Sequence, residues 1–197
     1  MAKCFLYLFI IVIVCSCQQQ GAKQYEKLEK KELASSRRVD SIFFGLYFGM
    51  KSKQFFSYCW QMSKKGIFTD GLNNQYVLHK LDNGELKHEA SMNFYPDFFD
   101  DKIFRMRVLY QYSAWAPWNK GLYSDSLLND VLQLYQKQYP GGNPFIAISE
   151  KNRPTVYAKV DGNRRITIGI LNDGTVKAIF TDLIVEQQIE KKDADKK

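Results

Sequence analysis

The sequence of 197 residues has few of the motifs that carry chemistry. It contains two histidines and four cysteines, and it has no Gly-x-Ser-x-Gly or Ser-x-x-Lys pattern that would place a nucleophilic serine. No Gly-rich loop joins a strand to a helix, and the connections are too short for the crossovers of a parallel sheet. The apolar run Phe5–Val14 is about ten residues, whereas a membrane-spanning helix needs roughly 20. The sequence therefore points to an antiparallel fold without a transmembrane helix or a recognisable catalytic motif.

The N-terminal segment has the layout of an export signal. Lys3 precedes the apolar run, and Ser16-Cys17 follows it. Val14-Cys15-Ser16-Cys17 resembles the lipobox of bacterial lipoproteins, in which an aliphatic residue and then a small residue precede the lipidated cysteine. The resemblance implies that Cys17 becomes the first residue of the mature chain and carries a diacylglycerol and an acyl chain such as palmitate.

Three alternatives to lipidation at Cys17 stay open. The segment can be an ordinary cleaved signal that leaves Cys17 as a thiol, or an uncleaved anchor. Cys15 can be the lipidated residue, although Val14 would then stand where the family has Gly, Ala or Ser. Gln18 occupies the position where lipoproteins of the inner membrane often have Asp, so the resemblance favours the periplasmic face of the outer membrane.

Cysteine use and charge agree with an exported chain of this kind. Once the signal is removed and Cys17 is lipidated, only Cys59 remains, so the domain has no internal disulfide and depends on its core. Cys59 is expected to be a small buried hydrophobic residue. Much of the net charge of +7 lies in the flanking segments, which we interpret as solvated, with attraction to anionic lipids as the alternative. We expect no nucleic-acid partner and no cofactor.

The chain divides into four parts. Residues 1–16 are the signal peptide, and residues 17–40 are the lipidated N-terminus and a charged tether. Residues 41–185 form the domain, and the charged tail 186–197 is expected to fray.

The domain contains an internal duplication. Gly49–Met62 aligns without gaps on Gly121–Leu134, and both segments have apolar residues in adjacent pairs at helical spacing. The pairs Phe55-Phe56 and Cys59-Trp60 match Leu127-Leu128 and Val131-Leu132. We predict two helices with buried stripes, in which the side chains of Ser52 and Ser124 cap the first turn. The first helix should end at Lys64-Lys65-Gly66.

Strands with hairpin turns follow each helix. We predict them at 76–81, 86–95, 102–112, 144–148, 156–160, 165–171 and 176–182. The predicted fold is α+β, with two α-β-β-β repeats at about 49–113 and 121–183 that form one antiparallel sheet with both helices packed on one face.

Two family resemblances accompany this pattern. Gly49-Met50, followed by an amphipathic helix and three strands, resembles small outer-membrane lipoproteins of the SmpA/OmlA type. The tandem α-β-β-β order is similar to β-lactamase-inhibitor-protein-like domains. These resemblances imply a protein that binds or scaffolds other proteins and is not an enzyme.

His79 and His88 are a candidate metal pair. If Asn83-Gly84 forms a two-residue turn, the two histidines lie directly opposite each other, about 5 Å apart. A catalytic zinc site usually needs three protein ligands, and no third ligand is evident. If Asp82 joins the loop, the register changes and the pair is lost.

Two further groups are candidate sites. Asp97, Asp100 and Asp101 can be read as carboxylates for Ca²⁺ or glycoside hydrolysis, or as a polar turn between strands. Trp115 and Trp118, with Tyr95 and Phe98, can form an aromatic site for a ligand or partner, or plug the core between the repeats.

The sequence therefore predicts a cell-envelope lipoprotein with a non-enzymatic binding or scaffolding role and an envelope protein as its partner. The alternative is an envelope hydrolase or metal-dependent enzyme that uses His79 and His88 or the carboxylates Asp97, Asp100 and Asp101.

Overall fold

The computed structural model describes residues 20–150 and 153–195, so the lipobox lies outside the described residues. Helix α1 covers residues 20–34. The remaining elements are α2 (Ser52–Lys64), β1 (Thr69–Asp70), β2 (Val77–Leu81), β3 (Ala90–Phe99), β4 (Lys102–Tyr112), α3 (Ser124–Gln138), β5 (Ile146–Ile148), β6 (Val156–Asp161), β7 (Arg164–Asn172), β8 (Thr175–Asp182) and α4 (Leu183–Ala194). Two short 3-10 turns lie at Leu72–Asn74 and Lys120–Leu122.

The strands form one sheet of eight in the order β1-β2-β3-β4-β8-β7-β6-β5. Every neighbouring pair is antiparallel. The predicted α+β class with a single antiparallel sheet is confirmed. The last strands of the two halves, β4 and β8, pair at the centre.

The central strands follow the two-residue period of a half-buried sheet. In β4, β7 and β8, fully buried residues alternate with partly exposed ones. We call the buried side the core face; it carries Met106, Val108, Tyr110, Ile166, Ile168, Val176, Ala178 and Phe180. Helix α3 packs on this face through Leu127, Val131 and Tyr135. Each buried aliphatic side chain contributes about 1.5–3 kcal/mol, so this layer is a main source of stability.

Helices α2 and α3 begin in a way that differs from the predicted caps. Ser52 and Ser124 are the first helical residues, and the cap positions belong to Lys51 and Tyr123. The Ser52 N–H donates to the carbonyl oxygen of Asp101 (3.0 Å), and the Ser124 N–H donates to that of Asp173 (2.8 Å). Carbonyls of hairpin turns thus satisfy amides that a serine side chain would otherwise cap. The predicted end of α2 is confirmed, because the helix stops at Lys64 and Gly66 has φ of +71°.

The connection between β2 and β3 is longer than a two-residue turn. Leu81 pairs with Ala90, so residues 82–89 form the loop and β3 begins later than predicted. Leu86 is buried in the core, and the Lys87 N–H donates to the Asp130 carboxylate at 3.0 Å. These contacts hold the loop against α3 and prevent a tight hairpin.

The segments expected to be a tether and a frayed tail contain helices α1 and α4. Glu32 of α1 is buried and accepts hydrogen bonds from the Gly162 N–H (2.8 Å) and the Asn143 side chain (2.9 Å). Burial would raise the pKa of Glu32, but these donors and Arg37 lower it to about 2. Helix α4 starts at the buried Leu183, with the Asp182 side chain accepting from the Ile184 N–H. Both helices are therefore attached to the domain.

A buried polar network joins α1 to the β6–β7 hairpin. Asp161 lies 3.3 Å from the Lys159 ammonium, 3.5 Å from the Arg164 guanidinium and 3.9 Å from that of Arg37. It also accepts the Asn143 N–H at 3.0 Å. Burial lowers the pKa of Arg164, and the Asp161 charge opposes this effect. Asp161 is thus the acceptor that the buried cations and the Asn143 N–H share.

Candidate functional site

The sheet face opposite α3 is a partly exposed surface built from regular structure, and we call it the open face. Its residues alternate with those of the core face on four adjacent strands, and most of them are half-buried, whereas Asn93 and Thr181 on the same side are buried. The strand registers place the half-buried residues side by side. They are Asp97, Arg105, Arg107, Leu109, Arg165, Thr167, Lys177 and Ile179.

Ion pairs order one end of the open face. The Arg107 guanidinium lies 2.7 Å from the Asp97 carboxylate. Glu186 of α4 lies 2.7 Å from both Arg105 and Arg165. Because one carboxylate holds two arginines from different strands, α4 is fixed across the end of this face. Such partly exposed pairs order side chains more than they stabilise the fold.

Helix α1 contributes Tyr25 to the same end. Its hydroxyl lies 3.4 Å from the Arg165 guanidinium and also bonds to Glu29. Burial and the hydrogen bond to Glu29 raise the pKa of Tyr25 to about 12. The hydroxyl therefore stays protonated at neutral pH and acts as a fixed polar contact.

The middle of the open face combines aliphatic and basic groups. Leu109 and Lys177 are direct neighbours on β4 and β8, and Ile179 pairs with Arg107 on one side and Thr167 on the other. This pattern does not bring an acid and a base to one point. It combines apolar area with the positive charge of Lys177, which is a composition suited to contact with another protein.

A polar cleft of about 590 Å³ lies between the 82–89 loop and α3. Asp130 is its buried carboxylate, and it accepts hydrogen bonds from the Tyr112 hydroxyl (2.8 Å) and the Lys87 N–H (3.0 Å). Burial, with the adjacent Asp130 charge, raises the pKa of Tyr112 well above its usual value. Tyr112 and Asp130 are thus hydrogen-bonded to each other, and Asp130 also attaches the 82–89 loop to α3 through the Lys87 N–H.

The structure does not bring His79 and His88 together. His79 pairs with Met92, and its Nδ1 lies 2.9 Å from the Ile67 carbonyl oxygen. His88 lies in the loop, with its ring edge-on to Tyr112 at 5.4 Å. Because His88 belongs to the 82–89 loop, it is not the strand residue opposite His79, which is the position that a metal pair requires. Among the described residues, no group of three or more His, Cys, Asp or Glu is arranged to hold a metal ion.

The three aspartates have separate structural contacts. Asp97 belongs to β3 and pairs with Arg107. Asp100 and Asp101 form the β3–β4 turn with φ of 47° and 62°. Asp101 accepts the Ser52 hydroxyl, and Asp100 lies 3.7 Å from the Lys192 ammonium. Asp97 lies on the sheet, whereas Asp100 and Asp101 lie in the β3–β4 turn. The contacts of Asp100 and Asp101 fit the interpretation of a polar turn between strands.

The predicted aromatic group is divided between distant contacts. The Trp115 ring covers Gly174, where an added Cβ would lie 2.8 Å from the indole, and it lies 6.3 Å from the Tyr123 ring. Trp118 is 85% exposed. Tyr95 and Phe98 both pack edge-on against Phe55 of α2 at 6.2 Å. These four residues therefore do not form one site.

Helix α2 presents two aromatic residues that the sequence analysis placed in its buried stripe. Phe55 is fully buried as predicted, but Phe56 is 50% exposed and Trp60 is 61% exposed. The equivalent residues of α3, Leu128 and Leu132, are buried. The expectation of matching stripes is wrong because only one side of α2 is covered. Cys59 is half-buried on the covered side, and burial raises the pKa of its thiol to about 12.

Comparisons with known proteins add no assignment. No family model matches the chain, and no curated protein or solved structure matches it. Within the described residues, none of the helices has the length and apolar character needed to cross a membrane.

Proposed function

We propose that this protein is a lipoprotein of the bacterial cell envelope, anchored by lipid on Cys17, whose domain binds another envelope protein through the open face. The role is non-enzymatic. The observation that carries the binding role is the open face itself, which extends across four strands and keeps aliphatic and basic residues half-exposed. Leu109, Lys177 and Ile179 form its centre. The positive charge of Lys177 favours a partner with acidic groups at the contact.

The lipid anchor rests on Val14-Cys15-Ser16-Cys17 and on the short apolar run before it. Helix α1 is present from residue 20, and it contacts the β6–β7 hairpin through Glu32. Two residues, Gln18 and Gln19, separate Cys17 from residue 20, and this stretch of chain spans at most about 11 Å. Such an anchor would hold the domain close to the periplasmic surface of the outer membrane, where its partner would also be found.

We further propose that the domain consists of two repeated units, each a helix followed by antiparallel strands. Matching hydrogen bonds support this proposal, because Ser52 and Ser124 are aligned in sequence and both donate to the carbonyl of an aspartate in the last hairpin of their own half. Four strands follow each helix, and the first of them is short in both halves. The symmetric strand order about β4 and β8 has the same explanation.

The enzymatic alternative has less support. His79 and His88 make separate contacts, and Asp97 is paired with arginine. The cleft beside His88 contains Asp130, but that carboxylate already accepts two hydrogen bonds that hold the loop. General acid–base chemistry needs groups that reach a substrate, and these are engaged with one another.

Reversing the charge at Lys177 should remove most partner recovery. In a pull-down of tagged lipoprotein from envelope extracts, we expect Lys177→Glu to reduce the recovered partner by about tenfold or more, because like charges at an interface cost several kcal/mol. Lys137→Glu is the matched control, since Lys137 is exposed in the last turn of α3. No partner with the unmodified chain, or equal recovery with Lys177→Glu, would refute binding through this face.

A further inference from the structure

The outer side of α2 is an exposed aromatic surface. Phe56 and Trp60 are one helical turn apart, so they lie on the same side, and they are 50% and 61% exposed. The opposite side is fixed, because Phe55 is fully buried and the Tyr58 hydroxyl donates to the Phe44 carbonyl oxygen. The helix is therefore held with Phe56 and Trp60 directed to solvent.

Positive charge surrounds these two rings. Lys51 and Lys53 lie at the start of α2, and Lys64 and Lys65 lie at its end, whereas the sequence from 51 to 66 has no Asp or Glu. The Lys64 ammonium lies 3.6 Å from the centre of the Trp60 ring. The β3–β4 turn brings two carboxylates to this end of the helix: Asp100 lies 3.7 Å from the Lys192 ammonium, and Asp101 accepts the Ser52 hydroxyl. The four lysines outnumber these two carboxylates.

This combination has the chemistry of a surface that contacts anionic lipid. Tryptophan prefers the boundary between headgroups and acyl chains, and a phenylalanine beside it adds apolar area. Lysines around the rings are attracted to the negative surface of a membrane that contains anionic phospholipid. We propose that Phe56, Trp60 and the four lysines of α2 form a membrane-docking surface for anionic phospholipid.

The lysines favour a lipid surface over a protein partner here. Membrane-surface helices are rich in lysine on the side that meets the headgroups and carry Trp or Phe on the side that enters the boundary region. Lys64 is already placed over the Trp60 ring, so ring and charge would reach the boundary region together. Exposure alone does not define such a surface. Trp118 is more exposed, at 85%, but lies outside any helix.

This inference goes beyond the proposed partner binding and uses a different surface from the open face. Lipid on Cys17 would bring the domain near the bilayer, and α2 would then set its orientation. The docking does not require acylation, because the rings and lysines of α2 would also attract the unmodified domain to an anionic vesicle.

The test is quenching of Trp60 by brominated lipids. The chain is isolated from membranes and placed in vesicles of phosphatidylcholine, with or without phosphatidylglycerol. The fluorescence of Trp60 is the difference between the emission of the unmodified chain and that of Trp60→Phe. This difference is measured in brominated lipid and in ordinary lipid. We expect this emission to be quenched in phosphatidylglycerol vesicles and largely unquenched in pure phosphatidylcholine. Trp118→Phe should leave the quenching unchanged. Lys53→Gln or Lys64→Gln should each weaken docking about fivefold, whereas Lys137→Gln should not.

Two results would overturn the proposal. If the Trp60 emission is the same in brominated and ordinary lipid, the ring does not reach the acyl boundary, and a protein partner becomes the better explanation for α2. Equal quenching in both vesicle types would overturn the role of the lysines. Mass spectrometry of the same sample reports acylation of Cys17 separately. A missing acyl mass contradicts the anchor and leaves the quenching result to decide the docking.

Discussion

Cys17→Ser is expected to abolish incorporation of labelled palmitate and to move the protein from the membrane fraction to the soluble fraction. Cys17 is the cysteine that the lipobox resemblance assigns to lipid. Two or more acyl chains hold a protein stably on a bilayer, whereas an apolar run of about ten residues is too short to span it. Loss of the lipid should therefore remove the main attachment. The measurement is palmitate labelling followed by fractionation of the envelope.

Two matched serine substitutions control for the loss of a cysteine. Cys15→Ser keeps Cys17 available and should retain both the label and the membrane attachment. Cys59→Ser affects a half-buried thiol of α2 and should also retain the label. Unchanged labelling and membrane retention in Cys17→Ser would contradict lipidation at Cys17. A loss of label in Cys15→Ser alone would assign the lipid to Cys15.

Asp161→Ala is expected to lower the free energy of unfolding by about 3–5 kcal/mol, because it leaves buried cations without their partner. Asp161 is 3% exposed and lies within 4 Å of Lys159, Arg164 and Arg37. The substitution also removes the acceptor for the Asn143 N–H. Urea unfolding followed by circular dichroism measures the change.

Asp70→Ala provides the comparison, because Asp70 is an exposed residue of the short edge strand β1. Its effect should stay within about 0.5 kcal/mol. A loss below about 1 kcal/mol for Asp161→Ala would mean that the network is not important for the stability of the domain. It would also weaken the view that α1 is firmly attached at Glu32.

The central strands could be predicted from the sequence because their signals are local. Strands β7 and β8 have regular alternation and are joined at Asn172-Asp173-Gly174. Each observed end of these strands lies within one residue of the predicted end. The end of α2 at Lys64 was also readable from the cations and Gly66. A two-residue period and a turn signal fix such elements without knowledge of distant contacts.

Other elements depend on contacts between distant residues. The start of β3 is set by the burial of Leu86 and by the bond from Lys87 to Asp130 on α3. Helices α1 and α4 are held largely by Glu32 and Glu186, whose charged surroundings in sequence suggest only a solvated segment. The partners of Glu32, Asn143 and Gly162, lie more than a hundred residues away in the sequence. Periodicity contains no information about such ion pairs.

The candidate surfaces were the least predictable part. The sequence marked Trp60 as apolar at helical spacing, but its exposure depends on which side of α2 is covered. Tyr95 and Phe98 were expected to join Trp115 and Trp118, yet they pack on Phe55. The open face follows from the alternation of β4, β7 and β8, which identifies a second face but does not show what covers it.

The central claim is that the anchored domain binds an envelope protein through the open face, and photo-crosslinking in cells tests it most directly. A photoreactive residue is placed at Thr167, which lies on the open face beside Ile179, and in a second variant at Lys137 on α3. Binding through the open face predicts a crosslinked product of defined mass from position 167 and not from position 137. No product at position 167, or the same product from both positions, would contradict it.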